Sequence, residues 1–302
     1  MKTINVMFMN IAQDNKNRFW FFDKKKQFIG YMLCDFKRVY PVRRLRKDVD
    51  QYFHADNLFF NDEKIFITSR QSVQVIVYDI LGDIFTSYEN DSIENQIYNT
   101  IYYNNQILFL PFNITTVARV FDITTGKFSE KKWFQENSNN ERVEHLFRKN
   151  EKLYLPIIQT NCVIELNLID YSYEKIWIME NVSLCSVLLD GDGIWITQNN
   201  TGSIMYCTKG GQCYRYNQEE MRTQTPYISI VNVGNKVVVI PKTGDEIVLI
   251  ENNKSKKIKI HTMQNRDEKC SLFSGFCVIE NKLILFPWGQ ELMYELAPRI
   301  RP

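Results

Sequence analysis

One pattern recurs along the chain and limits the folds that are open to it. A turn leads into a short apolar run, a polar break follows, and a second apolar run ends the unit, as in DGIWITQNNTGSIMYCT from Asp192. The first apolar residue of each unit, its anchor, recurs at steps of 42, 46, 41, 43 and 46 residues. With an earlier unit at NRFWFFDKKKQFIGYML, the seven anchors are Trp20, Ile65, Ile107, Leu153, Ile194, Val237 and Leu283. A fixed period near 43 predicts a repeat architecture.

Each unit also has an apolar run before its anchor and most have another after it, separated by Gly, Asn and Asp turns. Helical i, i+3, i+4 spacing is absent over any useful length, so each unit reads as four short strands. Four strands per period predict an all-β, seven-bladed β-propeller with four-stranded antiparallel blades, a single domain over residues 1–302. The N-terminal TINVMFMNI is expected to complete the last blade, which is one strand short. An irregular pair of β-sandwiches is the alternative, although sandwiches do not keep a fixed period.

The fifth unit, LDGDGIWITQNNTGSIMYCT, is similar to blades of the streptogramin (virginiamycin B) lyase family. The shared pattern is Gly-x-Ile/Leu-Trp, then Asn/Gly, then Ile, which marks turn and core residues. Other blades depart from that family by a Pro after the central strand, at Pro111, Pro156, Pro241 and Pro287. The resemblance implies a seven-bladed propeller and carries over no activity, because no catalytic His and Glu residues align.

Charge and composition restrict the function classes. There are 37 Lys and Arg against 35 Asp and Glu, so a net charge of +2 gives no general reason to expect nucleic-acid binding. The chain has no signal-peptide pattern and no 18-residue apolar stretch, which predicts no membrane partner and a cytoplasmic location. Its Asn, Lys and Ile richness is typical of an AT-rich bacterial genome. We also expect a monomer, because a propeller buries its own strand edges.

Seven cysteines occur with no CxxC spacing, most of them inside apolar strand-like runs. Reduced core thiols are the expectation, with disulfides or a zinc site as the alternatives. No phosphate-binding loop, GxSxG elbow or HExxH motif occurs, so we expect no cofactor and no metal.

The loops between second and third strands predict a ligand-binding face. Amide, charged and aromatic side chains in these loops suit a peptide, a protein partner or a polar or anionic small molecule. The candidates are Arg70, Asn113, Gln159, Asn161, Gln198, Asn199, Lys242, Trp288, Gln290 and Glu291. The alternative is that Asn and Gly serve turn geometry and Gln serves solvation.

A small or polar residue recurs eight positions before six of the anchors. These residues are Asn57, Asn99, His145, Ser186, Ser229 and Gly275. This register predicts first strands that line the channel of the propeller, with a structural role for the polar groups. The alternative is a lyase or hydrolase in which His145 or His54 works with a carboxylate such as Glu144 or Glu291.

Three basic clusters are further candidates for an anionic ligand, or else solvated surface. They are DKKKQ at 23–27, RRLRK at 43–47 and NKSKKIK at 253–259. Because loops differ in every blade and catalytic motifs are absent, the sequence favours a non-enzymatic recognition module.

Overall fold

The computed structural model describes residues 8–36, 38–45, 53–69, 71–90, 97–111, 113–114, 117–134, 138–143, 145–158, 162–177, 183–198, 201–209, 211–216, 227–241, 246–259, 273–287 and 294–296. These residues form strands β1 to β29 in seven antiparallel sheets, and none of them is helical. The chain divides into two compact units. Unit 1 comprises Met1–Phe112, Ala118–Lys131 and Phe273–Pro302, and unit 2 comprises Asn113–Val117 and Lys132–Leu272.

Unit 1 contains the first, second, third and seventh sheets. The first sheet is β1 (Ala12–Gln13), β2 (Phe19–Asp23), β3 (Phe28–Met32) and β4 (Val39–Arg44). The second is β5 (Ala55–Asn61), β6 (Lys64–Ser69), β7 (Gln74–Asp79) and β8 (Ile84–Glu89). The third is β9 (Ile97–Tyr103), β10 (Gln106–Pro111), β12 (Val117–Asp122) and β13 (Lys127–Lys132). The seventh is β27 (Phe273–Ile279), β28 (Lys282–Pro287) and β29 (Tyr294–Leu296).

Unit 2 contains the fourth, fifth and sixth sheets. The fourth is β11 (Asn113–Ile114), β14 (Ser138–Val143), β15 (Phe147–Lys149), β16 (Lys152–Ile158), β17 (Cys162–Asn167) and β18 (Tyr173–Trp177). The fifth is β19 (Leu184–Asp190), β20 (Gly193–Gln198), β21 (Ile204–Thr208) and β22 (Cys213–Arg215). The sixth is β23 (Tyr227–Val233), β24 (Lys236–Pro241), β25 (Glu246–Glu251) and β26 (Lys254–Lys259).

Burial explains why the same pattern returns in every sheet. The seven anchors lie in the second strands, β2, β6, β10, β16, β20, β24 and β28. In the second sheet, β6 is buried from Ile65 to Ser69 and β7 from Gln74 to Tyr78, whereas β8 is largely exposed. A strand buried on both faces needs a continuous apolar run, and an outer strand does not. The second and third strands therefore carry the repeated signal.

Apolar side chains of neighbouring sheets pack together within each unit. In unit 1, Trp20 and Ile29 of the first sheet pack with Ile65 and Ile76 of the second. Phe66 of the second sheet belongs to a separate cluster with residues of the third. In unit 2, one cluster joins the fourth and fifth sheets and another joins the fifth and sixth. In these pairs of sheets, each sheet buries apolar side chains against its neighbour.

A buried carboxylate orients the tryptophan of the first sheet. The indole Nε1 of Trp20 donates to Oδ2 of Asp14 at 2.8 Å, and Arg18 bonds to the same carboxylate through its backbone and side chain. Burial alone raises the pKa of Asp14, but the bonds from Trp20, Arg18 and the backbone of Lys16 outweigh it, and the net pKa is lowered. Asp14 is therefore ionised and fully paired. In the fifth sheet, Trp195 donates to Asp190 in the same way, at 3.0 Å.

The N-terminal strand expected to complete the seventh sheet lies partly outside the described residues, which begin at Phe8. Residues 8–11 are not in a strand, and the Phe8 ring packs against Phe21 and Phe286. The described part of the seventh sheet has three strands.

Candidate functional site

The first strand of five sheets carries the same irregularity, one extra residue opposite a single partner. In β5, Ala55 pairs with Ser69 and Asn57 with Thr68, so Asp56 is the extra residue. The same shift precedes the polar or small position of four other first strands, Asn99, Ser186, Ser229 and Gly275. A bulge bends the strand and redirects the next side chain. The recurring polar or small residue predicted from the sequence is thus the residue that follows a bulge.

His145 lies where the first strand of the fourth sheet is interrupted. Strand β14 ends at Val143 and β15 begins at Phe147, and both pair with β16. His145 is half-buried, with a φ of 28° that places it in a sparsely populated backbone region. It was expected within a continuous strand, and the interruption has no signal in the sequence. Its proposed partner Glu144 lies outside the described residues.

The other candidates of the enzyme hypothesis are not assembled into a site by the described residues. His54 is half-buried and immediately precedes β5 in unit 1. Glu291 lies outside the described residues. The choice between a structural and a catalytic histidine therefore stays a prediction.

Amide and hydroxyl side chains of unit 1 form a bonded network centred on Asn57, which we call the asparagine cluster: Asn10, Asn57, Asn99, Thr68 and Thr100. The Nδ2 of Asn10 donates to Oδ1 of Asn57 at 2.9 Å, and Nδ2 of Asn57 donates to Oδ1 of Asn99 at 2.6 Å. Asn57 also donates to the hydroxyl of Thr100 at 3.0 Å, and that hydroxyl lies 2.6 Å from the hydroxyl of Thr68. These groups satisfy one another, so the asparagine cluster is structural.

An ion pair beside the asparagine cluster uses a lysine of the first basic run. Nζ of Lys24 lies 2.8 Å from Oδ1 of Asp56, and both side chains are almost buried. Lys25 and Lys26 are exposed. A buried pair of this kind is broken only at high cost, because the remaining charge is left unpaired. Lys24 is therefore committed to the fold rather than to an anionic ligand.

The other two basic runs include an arginine that is paired within the fold and lysines that are exposed to solvent. Arg43 of β4 pairs with Asp83 at 2.6 Å, and Asp83 accepts a bond from the hydroxyl of Tyr78. Burial, followed by the bond and charge of Asp83, raises the pKa of Tyr78. The run at 253–259 forms the exposed outer strand β26, where charged lysines oppose edge-to-edge pairing.

Most predicted loop residues lie outside the described part of the chain: Arg70, Gln159, Asn161, Asn199, Lys242, Trp288, Gln290 and Glu291. Two are described, both in unit 2. Asn113 is half-buried in β11, and its Oδ1 has no hydrogen-bond partner among the described residues. Gln198 is buried at the end of β20 and accepts a bond from Thr201. The predicted ligand face thus stays a prediction.

Unit 2 holds a cavity of about 680 Å³ between the hairpin turns of the fourth and fifth sheets, here called the hairpin cavity. Its lining residues are Lys149–Lys152, Tyr154, Glu165, Asn167, Ile169, Ile176, Leu189, Gly191–Ile194, Cys207–Lys209 and Gly211. Gly191 and Gly211 contribute no side chain on the side of the fifth sheet, and a Cβ at either position would meet nothing within 4 Å. These two glycines help to leave the space open, whereas a Cβ at Gly193 would meet the ring of Tyr206.

Three polar side chains of the fourth sheet form a bonded group at the cavity. The carboxylate of Glu165 accepts bonds from the ammonium of Lys152 and the hydroxyl of Tyr154. Burial raises the pKa of Glu165, but the two bonds outweigh it and lower the net pKa. Burial and the contact with Glu165 raise the pKa of Tyr154, and Glu165 raises that of Lys152. At neutral pH the group is therefore an ion pair with a neutral phenol.

A disulfide borders the hairpin cavity, and it corrects the prediction that the cysteines are reduced thiols. Cys207 of β21 and Cys213 of β22 are direct register partners with Cα atoms 4.1 Å apart. The sequence shows a Cys-x5-Cys spacing around a Gly-Gly pair, which indicates a hairpin and differs from the CxxC spacing. Cys34 and Cys277 are free thiols.

Sequence reasoning missed the hairpin cavity because it looked at the loops between second and third strands. The cavity lies instead at turns between first and second strands, as at Gly191 and Asp192, and between third and fourth strands, as at Lys209 and Gly211. The clearest available signal is YCTKGGQCYRY, in which Lys209 lies between the two bridged cysteines. Among the described residues, no cluster of three His, Cys, Asp or Glu side chains could hold a metal ion.

No family model and no curated protein matches the chain, whereas solved structures do. Virginiamycin B lyase from Staphylococcus aureus aligns with a TM-score of 0.67 and 13% identity, over 98% of this chain and 97% of that one. YCF48 from Cyanidioschyzon merolae aligns with a TM-score of 0.70 and 8% identity, over 100% and 98%. The fold is a seven-bladed β-propeller. This confirms the predicted fold class and the predicted resemblance to streptogramin lyase blades, and at these identities it shows the fold alone.

A third similar structure is the extracellular domain of a putative one-component system from B. thetaiotaomicron, with a TM-score of 0.68 and 12% identity. The alignment covers 97% of this chain and 39% of that one. In the described part of this chain, no helix is long and apolar enough to cross a membrane.

Proposed function

We propose that this protein is a non-enzymatic binding module that holds a small polar ligand in the hairpin cavity. The observation that carries the proposal is the cavity itself, about 680 Å³ lined by charged, amide and apolar groups. Ligand pockets typically enclose roughly 300–1,000 Å³ and combine an apolar surface with a few polar groups. The sequence favours the same class of function, although it placed the ligand on another set of loops.

Binding without chemistry is supported by the state of the reactive groups at the cavity. Neither His54 nor His145 lines it, and Cys207 is held in a disulfide. Glu165 is bonded to Lys152 and Tyr154, which lower its pKa and make it a poor general acid. The similar structures include a lyase and the extracellular domain of a putative one-component system, so the fold alone does not decide between an enzyme and a binding module.

The test is a ligand panel measured by thermal shift and then by calorimetry. The panel contains free amino acids, dipeptides, monosaccharides and nucleosides. A compound at 100 times its Kd stabilises a protein by about 2.7 kcal/mol, which is measurable as a raised thermal midpoint. We expect at least one class to raise the midpoint.

The variant Thr208→Trp places an indole in the cavity wall at a strand position that tolerates aromatic residues. Thr124→Trp, at an exposed turn of unit 1, is its matched control. We expect binding to disappear in the first variant and to persist in the second. Binding that survives Thr208→Trp, or a panel in which no compound raises the midpoint, would overturn the proposal.

A further inference from the structure

The hairpin cavity carries equal numbers of positive and negative groups, and this limits the ligands that suit it. Three ammonium groups and three carboxylates line the cavity. They belong to Lys149, Lys152, Lys209, Glu151, Glu165 and Asp192. A ligand with one charge would meet as many like charges as opposite ones. A ligand with a charge of each sign can place each end beside a partner.

The fourth sheet offers a place for a ligand carboxylate. Lys149 and Lys152 are direct cross-strand partners in β15 and β16, and like charges in that position repel. Glu165 pairs with Lys152, whereas Lys149 has no ion-pair partner among the described residues. An anionic group bound beside Lys149 would offset the repulsion.

The fifth sheet offers a place for a ligand amine. Asp192 lies at the turn between β19 and β20, and its Oδ1 is 3.7 Å from Nζ of Lys209. Their side chains are 98% and 82% exposed, respectively, so water screens the pair and its contribution is small. A ligand ammonium can therefore approach Asp192 without breaking a strong interaction.

Apolar side chains between these charges suit the body of such a ligand. Ile176, Leu189 and Ile194 line the cavity and belong to the cluster that joins the fourth and fifth sheets. Leu189 and Ile176 are only partly buried, so a ligand side chain can still remove their apolar area from water. A volume of about 680 Å³ exceeds the need of one amino acid and accommodates two or three residues.

Building on the proposed function, we propose that the hairpin cavity binds a short peptide of two or three residues with both termini free and an apolar side chain. The C-terminal carboxylate lies beside Lys149, the amino terminus lies beside Asp192, and the side chain packs on Leu189 and Ile194. Capture of free peptide termini is an established recognition mode.

Calorimetry with three related compounds tests the proposal: alanyl-leucine, its N-acetyl form, which lacks the ammonium, and its amide, which lacks the carboxylate. We expect alanyl-leucine to bind about threefold more tightly than either blocked form, because water screens the exposed Asp192 and Lys149. Lys149→Ala should weaken alanyl-leucine by about threefold and leave the amide unchanged, since the amide has no carboxylate. Lys127→Ala, an exposed lysine of unit 1, is the matched control and should change nothing.

Equal affinity for alanyl-leucine and either blocked form would overturn the peptide assignment, as would no binding of alanyl-leucine. Equal weakening of all three compounds by Lys149→Ala would overturn the placement of the carboxylate. The proposed function fails separately, when no panel compound binds or when binding survives Thr208→Trp.

Discussion

The asparagine cluster of unit 1 and the hairpin cavity of unit 2 are both rich in polar groups, but those groups are used differently. In the asparagine cluster, the side chain of Asn57 hydrogen-bonds to Asn10, Asn99 and Thr100, so the amides of the cluster bond to one another. In the hairpin cavity, Lys149 keeps no ion-pair partner in the described part of the chain. Polar residues that satisfy each other stabilise a fold, whereas polar residues around open space are available to a ligand.

Removing the centre of the asparagine cluster should have the largest effect on stability. Asn57→Ala removes the bonds to half-buried Asn10 and Asn99 and to buried Thr100, so we expect a loss of about 3 kcal/mol in the free energy of unfolding. The measurement is the midpoint of denaturant unfolding, with the exposed amide variant Gln71→Ala as control. Equal midpoints for Asn57→Ala and Gln71→Ala would show that the cluster is not structural.

The disulfide beside the hairpin cavity should give the next largest effect. Replacing Cys207 and Cys213 by Ser opens a loop with a sequence separation of 6, which costs about 2 kcal/mol in the chain-entropy account. Thermal unfolding without reductant compares this variant with Cys34→Ser, which changes an exposed free thiol. Adding a reductant should lower the thermal midpoint of the wild type toward that of the variant in which Cys207 and Cys213 are both Ser. A wild-type thermal midpoint that does not change when reductant is added would contradict the Cys207–Cys213 disulfide.

The carboxylate of Asp14 should make stability depend on pH in the acid range. Its pKa is lowered in the folded protein, so its contribution is present above the ordinary aspartate pKa and is lost as pH falls through the folded value. Asp14→Asn should cost about 2 kcal/mol at pH 7, and its difference from the wild type should narrow as pH falls below the ordinary aspartate pKa. Unfolding curves across pH 2.5 to about 7 measure this narrowing. A constant difference at every pH would exclude ionisation as its cause.

Glu165→Gln should affect stability least. Because Lys152 is half-exposed, losing its ion pair should cost no more than about 1 kcal/mol. Lys152 then lies unpaired beside Lys149 and is available to a ligand carboxylate, so affinity for alanyl-leucine should rise by about threefold. Glu130→Gln is the matched control, since Glu130 also pairs with a partly exposed cation, Arg119. Calorimetry on both variants gives the affinities. Equal affinity in the two variants would remove Glu165 from the site.

The fold could be predicted from the sequence because its signal is repeated and local. Each anchor belongs to a strand that must be apolar on both faces. Few folds contain seven strands of this kind at a nearly constant spacing along the sequence. The polar register at Asn57, Asn99 and Ser186 was also visible, but the bulges that cause it were not. A bulge is a property of strand pairing, and no single residue type encodes it.

The hairpin cavity could not be predicted in the same way, because it arises from side chains of two sheets and from positions that have none. Lys152 and Glu165 are thirteen residues apart and meet only through strand register. Gly191 and Gly211 read as ordinary turn glycines in the sequence, although they also leave the cavity open. The Cys207–Cys213 pair was within reach, since a Gly-Gly turn between two cysteines indicates a hairpin that sets them opposite one another.

The central claim, that the hairpin cavity binds the ligand, is tested most directly by methyl NMR during titration with the best compound of the panel. We predict that the methyl signals of Ile176, Leu189 and Ile194 shift in proportion to occupancy, while those of Ile29 and Ile107 in the cores of unit 1 stay in place. Shifts confined to unit 1, with the three cavity methyl groups unchanged, would contradict the account.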